Sequence, residues 1–424
     1  MARFRFVHAA DLHLDTPFDG LARLGAEVPQ ALRDASLQAW DNLVEETIRA
    51  EAAFLVLAGD IYDGPARGLR AQLRFLDGLR RLSQAGIQVF MVHGNHDPVE
   101  EGWSAVREWP EGVTVFPPGE VGSVPVERGG QHLATVHGIS YRERETTENL
   151  ALQFPKEAGP GFNIGVLHCN LGSHAEHAAY SPCHLDDLRA AGMDYWALGH
   201  IHAHEVVSRE QPCVVYPGVL QGRSPKPSEG GAKGAVVVDV TDGRVERLEF
   251  RPLDVVRFER LSVDVAGIAD LAGLRDALES HAERAASAAA GRSLVLRAVL
   301  EGRGEVHEAL RRSPDALHSL LQELQESRRG PDAIWWDRLL DRSAAQLDKE
   351  AILARGDFSS ELLQRARVLA DDEAALEDFM SAHCRPSDRR LRDLLDPKEE
   401  MHPAEILAVA EDEALERIEP EENE

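Results

Sequence analysis

The chain has 424 residues, 43% of them hydrophobic and 28% charged, with a formal net charge of −27 at pH 7. That length accommodates two or three domains with cores of their own, and the composition excludes general disorder. The acidic balance excludes a chain that coats nucleic acid through bulk electrostatics, so any DNA contact must be local or borrowed from a partner.

The opening residues are too polar for a secretory leader, and no later segment approaches the length of a membrane span. Four widely spaced cysteines without a CxxC pair imply neither a zinc module nor a disulfide framework. A cytoplasmic, reducing setting is the expectation.

A short apolar strand is expected to end in VHAADLHLD, Val7 to Asp15. Residues two apart share one face of an extended chain, so Asp11 and His13 form a chelating pair. A helix follows around Ala31 to Glu51, where Trp40, Leu43, Val44, Thr47 and Ile48 keep the helical rhythm. The apolar run Ala53 to Ala58 reads as a strand buried on both faces and stops at Gly59-Asp60. A second helix over Arg70 to Gln84 leads to a buried strand, Ile87 to Val92, which ends in GNHD, Gly94 to Asp97.

Further strands are expected at Thr114–Phe116, Leu133–His137, Asn163–His168 and Tyr195–Leu198, the last two ending in His168 and in Gly199-His200-Ile201-His202. Five buried strands thus end in Asp, Asn or His, the edge at which ligands collect in open α/β sheets. A hairpin, Ala235–Val240 with Val245–Phe250, turns at Asp242-Gly243. Beyond Leu253 the polar strand ends disappear. Alternation over Arg257 to Val265, a helix marked by Leu271, Leu274 and Leu278, and a strand from Leu294 to Leu300 read as a small α+β domain.

The remainder reads as mainly helical, with Pro403 in a first turn and Ile406, Val409 and Ala410 on one stripe. Its end, Glu399 to Glu424, carries eleven acidic residues against Arg417 and is expected to be a solvated, mobile tail. The expected domains are 1–253, 254–340 and 341–424.

The candidate metal ligands are Asp11, His13, Asp60, Asn95, His168, His200 and His202, with His96 beside them. A lone His or Asp at a strand end is ordinarily a turn residue or a satisfied polar group. Five such motifs in order, each after a strand, are a different matter. Carboxylate, imidazole and one amide suit manganese, iron or zinc rather than a thiophilic metal. His8, His93, His137, His174, His177, His184 and His204 complete no spacing the seven leave empty and are read as surface or supporting residues.

The motifs DLH, GDIYD, GNHD, a strand ending in His, and GHIH resemble those of the calcineurin-like metallophosphoesterases, over roughly Met1 to Pro252. The opening HAADLHLD with Pro17 to Leu21, the GDIYDG segment, YPGVLQGR at Tyr216 to Arg223, and the E-x-G-x-K-G pattern from Glu229 to Gly234 are similar to the DNA-repair exonuclease branch of SbcD- and YhaO-type proteins. Ser224-Pro225-Lys226-Pro227 departs from that branch's pattern.

The resemblance implies a layered α/β sandwich of β-sheets flanked by helices, with a small α+β capping domain and a helical C-terminal region. It implies two divalent ions, manganese foremost. Asp11, His13 and His202 would hold one ion, Asn95, His168 and His200 the other, and Asp60 would bridge them. His96 would serve the leaving oxygen, with Asp97 orienting it. Asp15 and Asp63 would hold the ligand loops in place.

Arg223 and Lys233, presented by a strand-to-loop transition, are candidates for substrate phosphates, and the segment from Pro225 to Gly234 is expected to be a mobile loop. The implied activity is phosphodiester hydrolysis of DNA, exo- or endonucleolytic, by a metal-activated water. The implied partner is an SMC-like ABC ATPase, necessarily another chain because no Walker A pattern occurs in this one. A second copy of the chain is also admitted. The competing readings are a phosphodiesterase or phosphatase of small nucleotides or phosphoesters, and a non-catalytic assembly partner of the ATPase.

Overall fold

The computed structural model describes the chain except residues 1–2, 17–27, 65–67, 101–105, 158, 173–179, 314, 328–333, 346, 384–401 and 419–424, together with the side chains of residues 28–33. Pro17 to Leu21, His174, His177 and Cys384 therefore lie outside the described residues.

Two compact units emerge: Met1–Phe258 with Ala289–Val295, and Glu259–Ala288 with Leu296–Glu424. The first holds β1 (Arg3–Ala9), α1 (Val28–Arg49), β2 (Phe54–Ala58), α2 (Leu69–Gln84), β3 (Gln88–Val92), β4 (Val113–Val115), β5 (Gly122–Arg128), β6 (Gln131–Gly138) and β7 (Phe162–His168). It continues with α3 (Leu185–Ala190), β8 (Tyr195–Gly199), β9 (Glu205–Ser208), β10 (Cys213–Tyr216), β11 (Gly234–Thr241) and β12 (Arg244–Pro252). The strands form two six-stranded sheets, ordered β12-β11-β1-β2-β3-β4 and β5-β6-β7-β8-β10-β9.

Period-2 alternation explains why these strands read as continuous apolar runs. Phe4 and Phe6 of β1, Phe54 and Val56 of β2, and Phe90 and Val92 of β3 meet Val136, Ile164, Val166 and Tyr195 of the second sheet in one core. The intervening Val7, Leu55, Leu57, Val89 and Met91 pack instead with Trp40, Leu43, Phe75 and Leu79 of α1 and α2. Leu167 and Trp196 turn to a third cluster, with Leu188 of α3. The inner strands of each sheet are thus buried on both faces, and the layers run helix, sheet, sheet, helix.

The expected α/β sandwich is therefore present. Strands β5, β9 and β10 and helix α3 go beyond the sequence expectations: β5 is a half-exposed edge strand containing Pro125, and β10 has four residues, too few to show a period. His8 is fully buried in this core, with its ring nitrogens on the Tyr195 hydroxyl (3.0 Å) and the Leu198 carbonyl (3.2 Å), so it is no surface residue.

The second unit holds the three-stranded sheet β13 (Val256–Asp264), β14 (Ser293–Arg303), β15 (Ile334–Ala344), with α4 (Leu271–Ala289), α5 (Glu305–Arg312) and α6 (Ala316–Ser327). Helices α7 (Lys349–Arg355), α8 (Phe358–Ala370), α9 (Glu373–His383) and α10 (Pro403–Ile418) follow. Pro403 does open a helix. Its stripe differs from the expected one: Ala410 is exposed, and the residue that packs, with Ile352 and Leu363, is Leu415.

The expected acidic tail lies partly outside the described residues, at 399–401 and 419–424; its described part needs correcting, because α10 is anchored by ion pairs. Glu416 accepts from His307, Arg311 and the Ala345 N–H, and Asp412 pairs with Arg303 and Lys349. Among the described residues, no helix is long and apolar enough to cross a membrane.

Candidate metal centre

The motif residues stand just past the carboxyl ends of parallel strands. Strands β1, β2 and β3 run parallel in one sheet and deliver Asp11, Asp60 and Asn95; β7 and β8 run parallel in the other and deliver His168 and His200. Backbone bonds fix the loops to one another. The Asp11 N–H donates to the Gly59 carbonyl and the His13 N–H to the Asp60 carbonyl, each at 3.0 Å. The His200 N–H donates to the Asp11 carboxylate at 3.0 Å, and His168 Nδ1 donates to the Ala58 carbonyl at 2.9 Å, each joining the two sheets.

Tight approach explains why three of the motifs begin with glycine. A Cβ on Gly94 would collide with the Asp60 carboxylate, and one on Gly199 with the Ala58 carbonyl. The backbone is also held in the left-handed region at Asp11 (φ 51°), His13 (42°), Asp60 (52°) and His200 (100°). Each such residue costs about 1–3 kcal/mol and persists only where its surroundings over-determine it.

Ligand atoms of Asp11, His13 and His202 lie within 4.8 Å of one another, as do those of Asp11, Asp60 and His168, and those of His13, Asp63 and His96. Asp60 Oδ2 is 3.8 Å from His13 Nε2 and 3.4 Å from His168 Nε2, so it reaches both of the first two groups. Asn95 Oδ1 is 2.9 Å from His168 Nε2. The His200 ring lies against that of His168, with centroids 5.2 Å apart, but His200 joins none of these three groups. Six of the seven residues expected as ligands are thus linked around one small volume, and His200 adjoins it through the His168 ring.

The donors fit hard or borderline divalent cations. His13 is the clearest sign: its ring is fully buried, yet neither nitrogen has a hydrogen-bond partner. An imidazole stripped of water and left unmatched is costly unless a cation takes its lone pair. Burial holds His13 well below the ordinary histidine range, with the Arg223 charge adding to the effect, which keeps the ring neutral and able to ligate. Burial also pushes Asp11 upward. At Asp60 burial acts the same way, but His168, His13 and His96 outweigh it and hold the carboxylate well below its usual range. Cys169 Sγ, next in sequence to His168, points instead to Cys183 and the Tyr216 hydroxyl, so the set holds no thiolate.

His96 is half-buried, and its partner is a correction. Nδ1 lies 2.5 Å from Asp63 Oδ1. Burial opposes both charges, but their pairing raises His96 and lowers Asp63. Asp97 does not orient this ring; its carboxylate accepts from the Ile61 and Gly94 N–H groups and from His93, shaping the loop.

Lys233 is a second correction. It is buried, with its ammonium on the carbonyls of Ser228 (2.7 Å) and His202 (3.3 Å), so it braces the loop instead of meeting a phosphate. Arg223 is spent on carboxylates, 3.2 Å from Asp63 and 3.5 Å from Glu229. The segment expected to be mobile contains a short 3₁₀ turn, Pro227–Glu229, whose last residue is buried. Sequence reasoning passed over Glu229, which accepts from His202 Nδ1 at 3.0 Å. The E-x-G-x-K-G pattern pointed at it, but a glutamate among glycines carries no sign of the ring it will meet.

Residues 4–204 match the family described as calcineurin-like phosphoesterase, and residues 258–344 match the middle domain of metallophosphoesterase YhaO. The chain is 35% identical to the uncharacterized metallophosphoesterase YhaO of Bacillus subtilis (strain 168) over 341 residues, 79% of this chain and 81% of that one. It is 27% identical over 230 residues to the DNA double-strand break repair protein Mre11 of Aeropyrum pernix, 51% of this chain and 53% of that one. With the Mre11 of Methanopyrus kandleri it shares 24% over 293 residues, 62% of this chain and 60% of that one.

Proposed function

The chain belongs to the calcineurin-like metallophosphoesterases, and from that membership we propose that it is a two-metal phosphodiesterase acting on DNA. The observation that carries the reading is the buried, unmatched His13 ring, set within 4.8 Å of ligand atoms on Asp11 and His202 and beside Asp60, which also reaches His168. In the proposed assignment Asp11, His13 and His202 hold one ion, Asn95, His168 and His200 the other, and Asp60 both. Such a pair of ions, manganese foremost, would supply Lewis acidity at the phosphoryl oxygens and would lower the pKa of a bound water.

The remaining work falls to side chains. His96, paired through Nδ1 with Asp63, keeps Nε2 for the substrate and in its protonated form would donate from it to the leaving oxygen. Asp63 keeps that proton available by favouring the charged ring. The strained loops hold the carboxylates in place before substrate arrives, so the reaction bears little reorganisation cost.

DNA is favoured as substrate by the likeness to two proteins named for double-strand break repair and by the YPGVLQGR segment. In this reading residues 254–340 help to place the DNA, residues 341–424 dock an SMC-like ATPase subunit, and the complex works in the cytoplasm. The test is purified protein with Mn²⁺ on single- and double-stranded DNA, beside bis-p-nitrophenyl phosphate, with a chelator control. Metal-dependent DNA cleavage is the expected result. Intact DNA beside rapid hydrolysis of the small diester would move the assignment to small phosphoesters, a reading the net charge of −27 favours.

A further inference from the structure

Glu229 is buried at the end of the 3₁₀ turn and takes part in no step assigned so far. Its Oε1 lies 3.0 Å from His202 Nδ1, its Oε2 accepts from the Arg223 N–H at 2.6 Å, and the Arg223 guanidinium sits 3.5 Å from Oε1. The same guanidinium reaches Asp63 at 3.2 Å, and Asp63 holds His96. A line of side chains, His202, Glu229, Arg223, Asp63 and His96, thus runs from a candidate ligand to the candidate acid.

We propose that Glu229 is a positioning residue that fixes the tautomer and tilt of His202, and that Arg223 holds Glu229 to the Asp63–His96 pair. The chemistry permits one arrangement. A carboxylate can only accept, so His202 Nδ1 must carry the proton, which leaves the ring's basic lone pair on Nε2. A carboxylate behind a ligating histidine also raises the ring's basicity and keeps it from rotating. The Arg223 backbone N–H on Oε2 and the Arg223 guanidinium beside Oε1 occupy the other side of the same carboxylate and hold it facing His202. Lys233 braces the same turn through the Ser228 and His202 carbonyls.

This inference rests on the two-metal reading, and the test separates the two. Two measurements on the full chain are needed for wild type, Glu229→Gln and Glu229→Ala. The first is ¹⁵N imidazole NMR of the metal-free protein, with the His202 signal assigned by its loss in His202→Gln. Wild type should show His202 protonated at Nδ1. Glu229→Ala should show the mixed tautomers of a free ring, and Glu229→Gln, whose amide oxygen still accepts, should keep most of the wild-type signature.

The second is calorimetric titration with Mn²⁺. One of the two binding events should weaken about 10- to 100-fold in Glu229→Ala and less in Glu229→Gln. A merely structural role would move neither tautomer nor one selected ion. Two ions bound with unchanged affinity in both variants, or an unchanged tautomer in Glu229→Ala, would overturn the role of Glu229 while leaving the phosphodiesterase reading intact. A wild-type chain that binds no ion would overturn both. Should Glu229→Ala fail to fold, Glu229→Gln decides alone: a wild-type tautomer with one ion modestly weakened supports the proposal, and a mixed tautomer with both affinities unchanged overturns it.

Discussion

In the proposed reaction, the pairing of His96 with Asp63 is the smallest feature with a consequence for rate. A half-buried imidazole near Asp63, Asp60 and Arg223 needs a fixed partner to stay protonated at the right nitrogen. Asp63→Asn should therefore slow cleavage of a diester with an alkoxide leaving group by about 10²- to 10⁴-fold, the range for a lost general acid. A p-nitrophenolate leaving group needs no proton, so its loss should be far smaller. Steady-state rates on both substrates check this, with metal content measured alongside; equal losses would assign Asp63 to metal binding. Asp97→Asn should instead act through the loop, lowering the thermal midpoint more than it changes the ratio of the two rates.

At the scale of elements, the site depends on two sheets meeting at the carboxyl ends of their parallel strands. Gly199 and Ala58 touch there across the sandwich, and a methyl group on Gly199 has no space. Gly199→Ala should cost about 3 kcal/mol, the upper end for overpacking, and the loss should appear in chemical denaturation with or without metal. His8 lies in the same sandwich. Burial drives its pKa down from 6.5 to about 3, against the pull of the Leu198 carbonyl. The unfolded chain then binds a proton the folded one refuses between those values, so stability falls as pH drops from 6.5 towards 3, by at most about 1.4 kcal/mol per pH unit from this residue. Denaturation midpoints across that window, compared with His8→Gln, check the sign; a wild type no more acid-sensitive than the variant would contradict it.

The parallel strands were legible in the sequence because both their faces are buried and each ends in a chemically loaded turn. Asp11, His13, Asp60, Asn95, His168, His200 and His202 could be picked out for the same reason: each breaks an apolar run at its end. What could not be read were contacts between residues distant in the chain. His96 meets Asp63 and not its neighbour Asp97, and Glu229 meets His202 across 27 positions. Strand β15 carries Trp336, Asp337, Arg338 and Asp341 in a mixed run, and its Asp337 makes sense only beside Arg297 of β14, at 2.6 Å. The acidic end misled for a similar reason: charge alone suggests a solvated tail, while Leu415 in a small apolar cluster and Glu416 among cations fix the helix.

For the whole molecule, a net charge of −27 would make a metal-loaded centre the natural landing point for the polyanion proposed as substrate. Binding of duplex DNA by the His96→Ala chain, chosen so that bound DNA survives, should require Mn²⁺ and vanish in chelator. Fluorescence anisotropy measures this, and equal affinity in chelator would show that another surface captures the DNA. The most direct measurement is a manganese count on metal-stripped protein after reloading and desalting, for wild type and His13→Ala. Two ions per wild-type chain and one per His13→Ala chain are expected, because the shell around Asn95, Asp60 and His168 remains. No ion in the wild type, or two retained in His13→Ala, would contradict the two-metal assignment.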